Sequence, residues 1–143
     1  MNEELHVVLG SGPVGTWVAR VLAGQGDRVR VVNRSGRRPA LLPGDVELVA
    51  ADVSVREQAI AAAAGAAVVY QALSPAYHRW HTEFPALQAS ALAAAQSAGA
   101  RYVSVENLYM YDSAVGPMTE GTRIRPVSRK GELRARMAEE VTE

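Results

Sequence analysis

The sequence has 143 residues, 48% of them hydrophobic, with 15 Lys+Arg against 15 Asp+Glu and no cysteine. That length holds one domain with a core, the charge balance gives no electrostatic footing for nucleic acid, and no apolar run is long enough to span a membrane. The missing cysteines exclude disulfides, thiolate zinc sites and cysteine nucleophiles, and Asn2, Glu3 and Glu4 do not fit a signal segment, so a cytoplasmic protein is expected.

Leu5, Val7, Val8 and Leu9 form an apolar run, the first predicted strand (5–9). It runs into Gly10-Ser11-Gly12-Pro13-Val14-Gly15 and then a helical pattern over 14–23. In that helix Val14, Trp17, Val18, Val21 and Leu22 recur at helical spacing and are expected to face the sheet. Gly24-Gln25-Gly26-Asp27 closes it, and a second strand follows over 28–32. Strand, glycine turn, helix and strand make one βαβ unit, the setting in which G-x-G-x-x-G marks dinucleotide binding. Gly10 permits the turn, Gly12 lets backbone approach a pyrophosphate, and Gly15 lets the helix lie close to the sheet. Pro13 and Val14 open the helix whose N-terminus receives the phosphates. No G-K-[ST] follows, which excludes a P-loop, and Ser11 does not match a G-x-S-x-G elbow.

Dinucleotide sites usually carry an acid at the end of the second strand, on the adenosine ribose. This chain has Asn33 and Arg34, with Arg37 and Arg38 nearby. Asn33 carries no charge to repel a 2′-phosphate, and Arg34 can pair with one or stack on adenine. The pattern favours NADP over NAD.

A loop over 39–44 leads to a third strand (46–49), and Ser54 with Glu57 reads as a capping box for a helix ending near Ala64. The fourth strand (66–70) is nearly all apolar, as expected for a strand inside a parallel sheet. Gln71-Ala72-Leu73-Ser74-Pro75 leaves it at the carboxyl edge, where ligands bind. An aromatic turn at 77–81 holds His78 and His81, which lack a third ligand nearby, so no metal site is expected. A helix follows over 83–98, with Phe84, Leu87, Ala91, Leu92, Ala95 and Ala98 on its buried side, and then a fifth strand over 101–105. After an irregular stretch (106–125), Leu133, Met137 and Val141 mark a last helix over 127–141. The basic run Arg123, Arg125, Arg129, Lys130, Arg134 and Arg136 reads as a solvated face. The fold class is α/β: a doubly wound parallel sheet of about five strands with helices on both faces.

The glycine turn, Asp52-Val53, Gln71-Ala72-Leu73, Arg101-Tyr102-Val103-Ser104 leading to Tyr111, and Pro117-Met118-Thr119-Glu120 resemble the NAD(P)-dependent epimerase/dehydratase family of extended short-chain dehydrogenase/reductases. The resemblance implies a Rossmann NAD(P)-binding fold over 1–143, lacking the family's carboxyl-terminal substrate domain. It implies that Asp52 and Val53 contact adenine and that Ala72, Leu73 and Ser74 line the nicotinamide side. The tighter G-x-G-x-x-G departs from the family's usual G-x-x-G-x-x-G. The family's Tyr-x-x-x-Lys is absent. By position Asn107 replaces the Ser/Thr after strand five, with Lys130 near the Tyr place and Arg134 near the Lys place. Lys130 would transfer a proton only if burial or the like charge of Arg134 disfavoured its charged form; Tyr109 or Tyr111 are the substitutes.

Two functions follow. One is NADP-linked oxidoreduction or epimerisation of a carbonyl, alcohol or nucleotide-sugar-like substrate. The other is a cofactor-binding module or sensor without turnover. The family's habit of dimerising implies a homodimer through helices 83–98 and 127–141.

Overall fold

The computed structural model describes residues 2–114 and 116–142. Its sheet has five parallel strands in the order β3-β2-β1-β4-β5. They are β1 (Asn2–Leu9), β2 (Asp27–Asn33), β3 (Glu47–Ala50), β4 (Ala66–Gln71) and β5 (Arg101–Ser104). The helices are α1 (Pro13–Gly24), α2 (Arg56–Ala62), α3 (Trp80–Ala98) and α4 (Arg129–Thr142), with a 3₁₀ turn at Tyr77–Arg79. The doubly wound α/β fold expected from the sequence is the one observed. Val7, Val8, Leu9, Val31, Val32 and Val69 are fully buried, as β-branched and Leu residues must be in strands covered on both faces. The chain winds from β1 outward to β3, then crosses back to β4 and β5. The reversal falls between β1 and β4, so their carboxyl ends flank a crevice.

One face is covered by α2, α3 and α4, and its core joins Val7, Leu9 and Val69 to Phe84, Ala91, Leu133 and Met137. Ala91, Ala94 and Ala95 are buried there, and their lack of bulk lets α3 lie close to α2 and the sheet. Much of the alanine run is thus absorbed inside the chain. Gln88, fully buried, donates its Nε2 to Met137 O at 2.9 Å and to Glu140 Oε2 at 2.8 Å, tying α3 to α4.

The other face carries α1 and the loop after β2, packed on Val8, Val29 and Val31 through Ala19, Leu42 and Val46. Here the expected facing of α1 is corrected. Gly15, Thr16 and Ala19 are its buried residues, Val18 and Leu22 are half-buried, and Val14, Trp17 and Val21 are 49%, 56% and 55% exposed. Gly15 must abut Gly10, which fixes the roll of the helix. The residue one turn on, Ala19, then meets the sheet, and the larger apolar side chains turn away. The capping box is corrected too. Helix α2 begins at Arg56 without a side-chain cap. Ser54 instead gives its N–H and hydroxyl to Asp52 Oδ1 at 3.0 and 2.6 Å.

Candidate dinucleotide site

The glycine turn is built by close backbone approach. Gly10 has φ +108°, a conformation that side chains other than glycine rarely adopt. Its N–H donates to Val32 O, and Ala72 N–H donates to Leu9 O, each at 2.9 Å, so the turn is stitched to β2 and to the exit of β4. A Cβ on Gly15 would overlap the Gly10 carbonyl, whereas one on Gly12 would meet nothing within 4 Å. Helix α1 starts at Pro13 with Gly12 as its cap and no capping side chain. Thr16 Oγ1 donates to Ser11 O at 3.0 Å and holds the loop down. The result is an open cradle of backbone before a helix N-terminus, which fits a diphosphate.

Beside this cradle a groove of about 510 Å³ lies at the carboxyl edge. Asn33, Arg34, Asp52, Val53, Leu73 and Ser74 all line it. Gly10, Gly12, Pro13, Val14, Gly15 and Ala72 are not in its wall. The turn they form meets that wall where a Gly10 Cβ would lie 3.1 Å from Leu73 and where Ser11 Oγ accepts from Asn33. Asn33 is a brace: its Nδ2 donates to Ser11 Oγ (2.9 Å) and Arg37 O (2.8 Å), and its Oδ1 accepts from Gly36 N (2.7 Å). Arg38 is tied to the carbonyls of Pro43 and Val46. Arg34 is left exposed on the groove wall. The hydroxyl of Ser54, then its N–H, and more weakly the charge of Arg34 hold the Asp52 carboxyl below its usual range.

Sequence reasoning missed Arg79, Thr82, Glu83 and Ala86, which form the wall opposite Asp52. They come from the 3₁₀ turn and the first turns of α3, braced by an Arg79–Glu83 pair at 2.8 Å. Helix α3 starts three residues before its expected first residue, because Trp80 is buried against Phe84. Gln71, placed by the sequence at the carboxyl edge without a role of its own, has a buried amide oxygen that accepts from Leu73 N and fixes the strap leaving β4.

None of the five residues considered for chemistry (Asn107, Tyr109, Tyr111, Lys130 and Arg134) lines the groove. Arg134 was expected beside Lys130 as a like charge. It is instead 2% exposed, with Nη2 donating to Glu106 Oε2 at 2.6 Å and Val105 O at 3.1 Å, and with its guanidinium 4.4 Å above the Phe84 ring. It locks α4 to the exit of β5, so it is no part of a solvated basic face. Tyr111 pairs with Ile124 and lines a separate hollow with Met110 and Glu139. Asn107 Oδ1 accepts from Tyr109 N at 3.0 Å. Lys130 Nζ lies 4.2 Å over the Tyr77 ring. His81 Nε2 lies 3.2 Å from Arg129 O, and no group of three His, Cys, Asp or Glu among the described residues is placed to hold a metal.

The turn at 77–79 and the exit of β5 meet in an aromatic cluster. Tyr77 stands edge-on to Trp80 (5.2 Å) and Tyr109 (6.5 Å), and Trp80 lies 5.9 Å from Tyr109. Trp80 Nε1 donates to Pro75 O at 3.2 Å, which joins the cluster to the groove wall.

No family model and no curated protein matches the sequence. Solved structures match the fold. UDP-glucose 4-epimerase from Brucella ovis in complex with NAD gives a TM-score of 0.83 at 17% identity, over 97% of this chain and 47% of that one. UDP-galactose 4-epimerase gives 0.75 at 25% identity, over 93% and 48%. This is the epimerase and short-chain dehydrogenase fold. Uronate dehydrogenase from Agrobacterium tumefaciens shares it, with a TM-score of 0.77 at 18% identity over 97% and 55%. The chain spans about half the length of these proteins. Among the described residues no helix is long and apolar enough to cross a membrane.

Proposed function

We propose that the chain binds a nicotinamide dinucleotide, NADP in preference to NAD, and serves oxidoreduction or epimerisation of a carbonyl, alcohol or nucleotide-sugar-like substrate. The observation carrying this reading is the Gly10–Gly15 cradle standing against the groove wall, with Arg34 exposed on that wall where β2 ends. No carboxylate stands at the end of β2 to repel a 2′-phosphate: Asn33 occupies that place and is spent on bracing. The diphosphate rests on the first turn of α1. Adenine lies between Asp52-Val53 and the α3 wall. Arg34 meets the 2′-phosphate as a charge-assisted donor. When bound, the nicotinamide supplies hydride transfer. A second reading, a binding module without turnover, draws support from the missing Tyr-x-x-x-Lys and from the commitment of Arg134 to Glu106.

Calorimetric titration with NADP and NAD tests the site and the preference together. Arg34→Ala is expected to weaken NADP about tenfold, roughly 1.4 kcal/mol, and to leave NAD within twofold. Equal loss for both would remove the 2′-phosphate from the argument. Absence of binding by either would remove the site.

A further inference from the structure

The two faces of the sheet are covered unequally. On one, α3 lies over β4 and β5; on the other, α1 lies over β1 and β2. Strand register shows what that leaves bare. Val8 on β1 pairs with Tyr70 on β4, and Tyr70 with Val103 on β5, so the three form one row on the α1 face. Val8 is fully buried, Tyr70 half-buried and Val103 38% exposed. One residue away, on the opposite face, Val69 is fully buried and its β5 partner Tyr102 half-buried. Parallel sheets occur with both faces covered, and no helix among the described residues lies over β4 and β5 on the α1 face.

Helix α1 holds an apolar stripe beside this bare strip. Val14, Trp17 and Val21, at i, i+3 and i+7, are all exposed. With Val18 and Tyr70 they line a hollow between α1 and β4 that has no charged side chain in its wall. The Tyr70 hydroxyl lies 3.1 Å from Nδ1 of buried His6, so covering the ring strands no hydroxyl. Arg20, the single charged residue of α1, is turned over the Trp17 ring at 4.9 Å and donates to Leu41 O at 2.7 Å.

We propose that this face joins two copies of the chain, α1 of each lying over the β4–β5 strip of the other. What selects a second copy is that stripe and strip stand side by side on one molecule. A two-fold axis brings the Val14–Trp17–Val21 stripe of each copy onto Tyr70 and Val103 of the other, and the contact closes as a dimer. The two α1 helices then form one layer between two sheets. The formal net charge is zero, so two copies do not repel as wholes. Helix α1 has 12 residues, so the face is about 18 Å long; with the two uncovered strands it is about 20 Å wide, roughly 360 Å² in projection. That falls short of the about 800 Å² a side of a standard interface, so the dimer is reversible, with Kd in the micromolar range. It shares no lining residue with the groove, and it lies across the sheet from the helices over 83–98 and 127–141 through which the family resemblance implies dimerisation.

Sedimentation velocity over a concentration series reads the association. The chain is expected to pass from monomer to dimer in the micromolar range. Trp17→Glu is expected to weaken association at least about thirtyfold, the loss of a central aromatic anchor. Its melting temperature in dilute solution should stay near wild type, because residue 17 is exposed. Val103→Lys, on the strip, is expected to weaken association several-fold, and Ala89→Arg, on the exposed side of α3, to leave it unchanged. A chain that stays monomeric up to about 200 µM overturns the proposal and leaves the strip to a helix of another polypeptide. A dimer that survives a folded Trp17→Glu also overturns it, and its loss in Ala89→Arg would place the contact on α3. Should Trp17→Glu unfold, the two indole N–H proton signals of the wild-type chain decide. That of Trp17 is expected to shift with concentration while that of buried Trp80 stays; a Trp17 signal that holds still through dimerisation overturns the proposal.

Discussion

Two stretches of the same sheet edge are built on opposite plans. From Gly10 to Asp52 the edge is open, with a backbone cradle, an uncapped helix start and an exposed arginine. From Ser104 to Arg134 it is closed on itself. Ser104 Oγ donates to Glu106 Oε1, Glu106 accepts from Arg134, and Asn107 caps its own turn. Binding a diphosphate requires backbone groups that the fold leaves unspent. Proton transfer requires side chains that the fold leaves unspent, and on the closed stretch Ser104, Glu106, Asn107 and Arg134 are spent on hydrogen bonds within the fold.

The largest expected effect separates folding from binding within the open stretch. Gly15→Val has no room beside the Gly10 carbonyl and is expected to destabilise by at least about 3 kcal/mol, read by calorimetric melting. Gly12→Ala points into open space and is expected to cost within about 1 kcal/mol while removing most of the stabilisation by cofactor. Equal damage from both would mean that the turn is only a structural joint.

On the closed stretch, Glu106→Gln leaves the Arg134 cation buried without its counter-ion. Breaking a fully buried pair costs about 3–5 kcal/mol; with the Glu106 side chain 26% exposed, about 2 kcal/mol is expected in urea unfolding. A change under about 0.5 kcal/mol, the size of an exposed pair, would show that this stretch is not held by charge. The roughly tenfold NADP loss in Arg34→Ala is the next effect in size.

The smallest concerns acid. The folded Asp52 carboxyl lies below its unfolded value because Ser54 donates to it twice. Its stabilisation is therefore complete above the ordinary carboxylate range near about 4 and is lost as pH falls through the lower folded value. Ser54→Ala is expected to lower the melting temperature slightly at pH 7 and to converge with wild type at acid pH. Parallel melting curves down to the acid limit would place the bond outside the stability of this turn.

Local patterns carried most of the architecture. Val7–Leu9, the glycine spacing and the mostly apolar β4 each act over a few residues, so they could be read directly. The facing of α1 could not, because the contact that sets its roll joins Gly15 to Gly10 and outweighs the apolar stripe. Arg134 read as solvated because its partner Glu106 lies 28 residues away. The α3 wall of the groove carries no motif at all; it exists because Trp80 is pulled under the aromatic cluster and starts the helix early.

That indole has a practical use. The chain's two tryptophans sit in unlike surroundings: Trp17 is 56% exposed under Arg20, and Trp80 is 8% exposed between Tyr77 and Phe84. Their emission should therefore split into a red component that iodide quenches and a blue one that it does not. Trp17→Phe would leave a single tryptophan directly beneath Tyr77 and Tyr109, an optical reporter of that corner that needs no label.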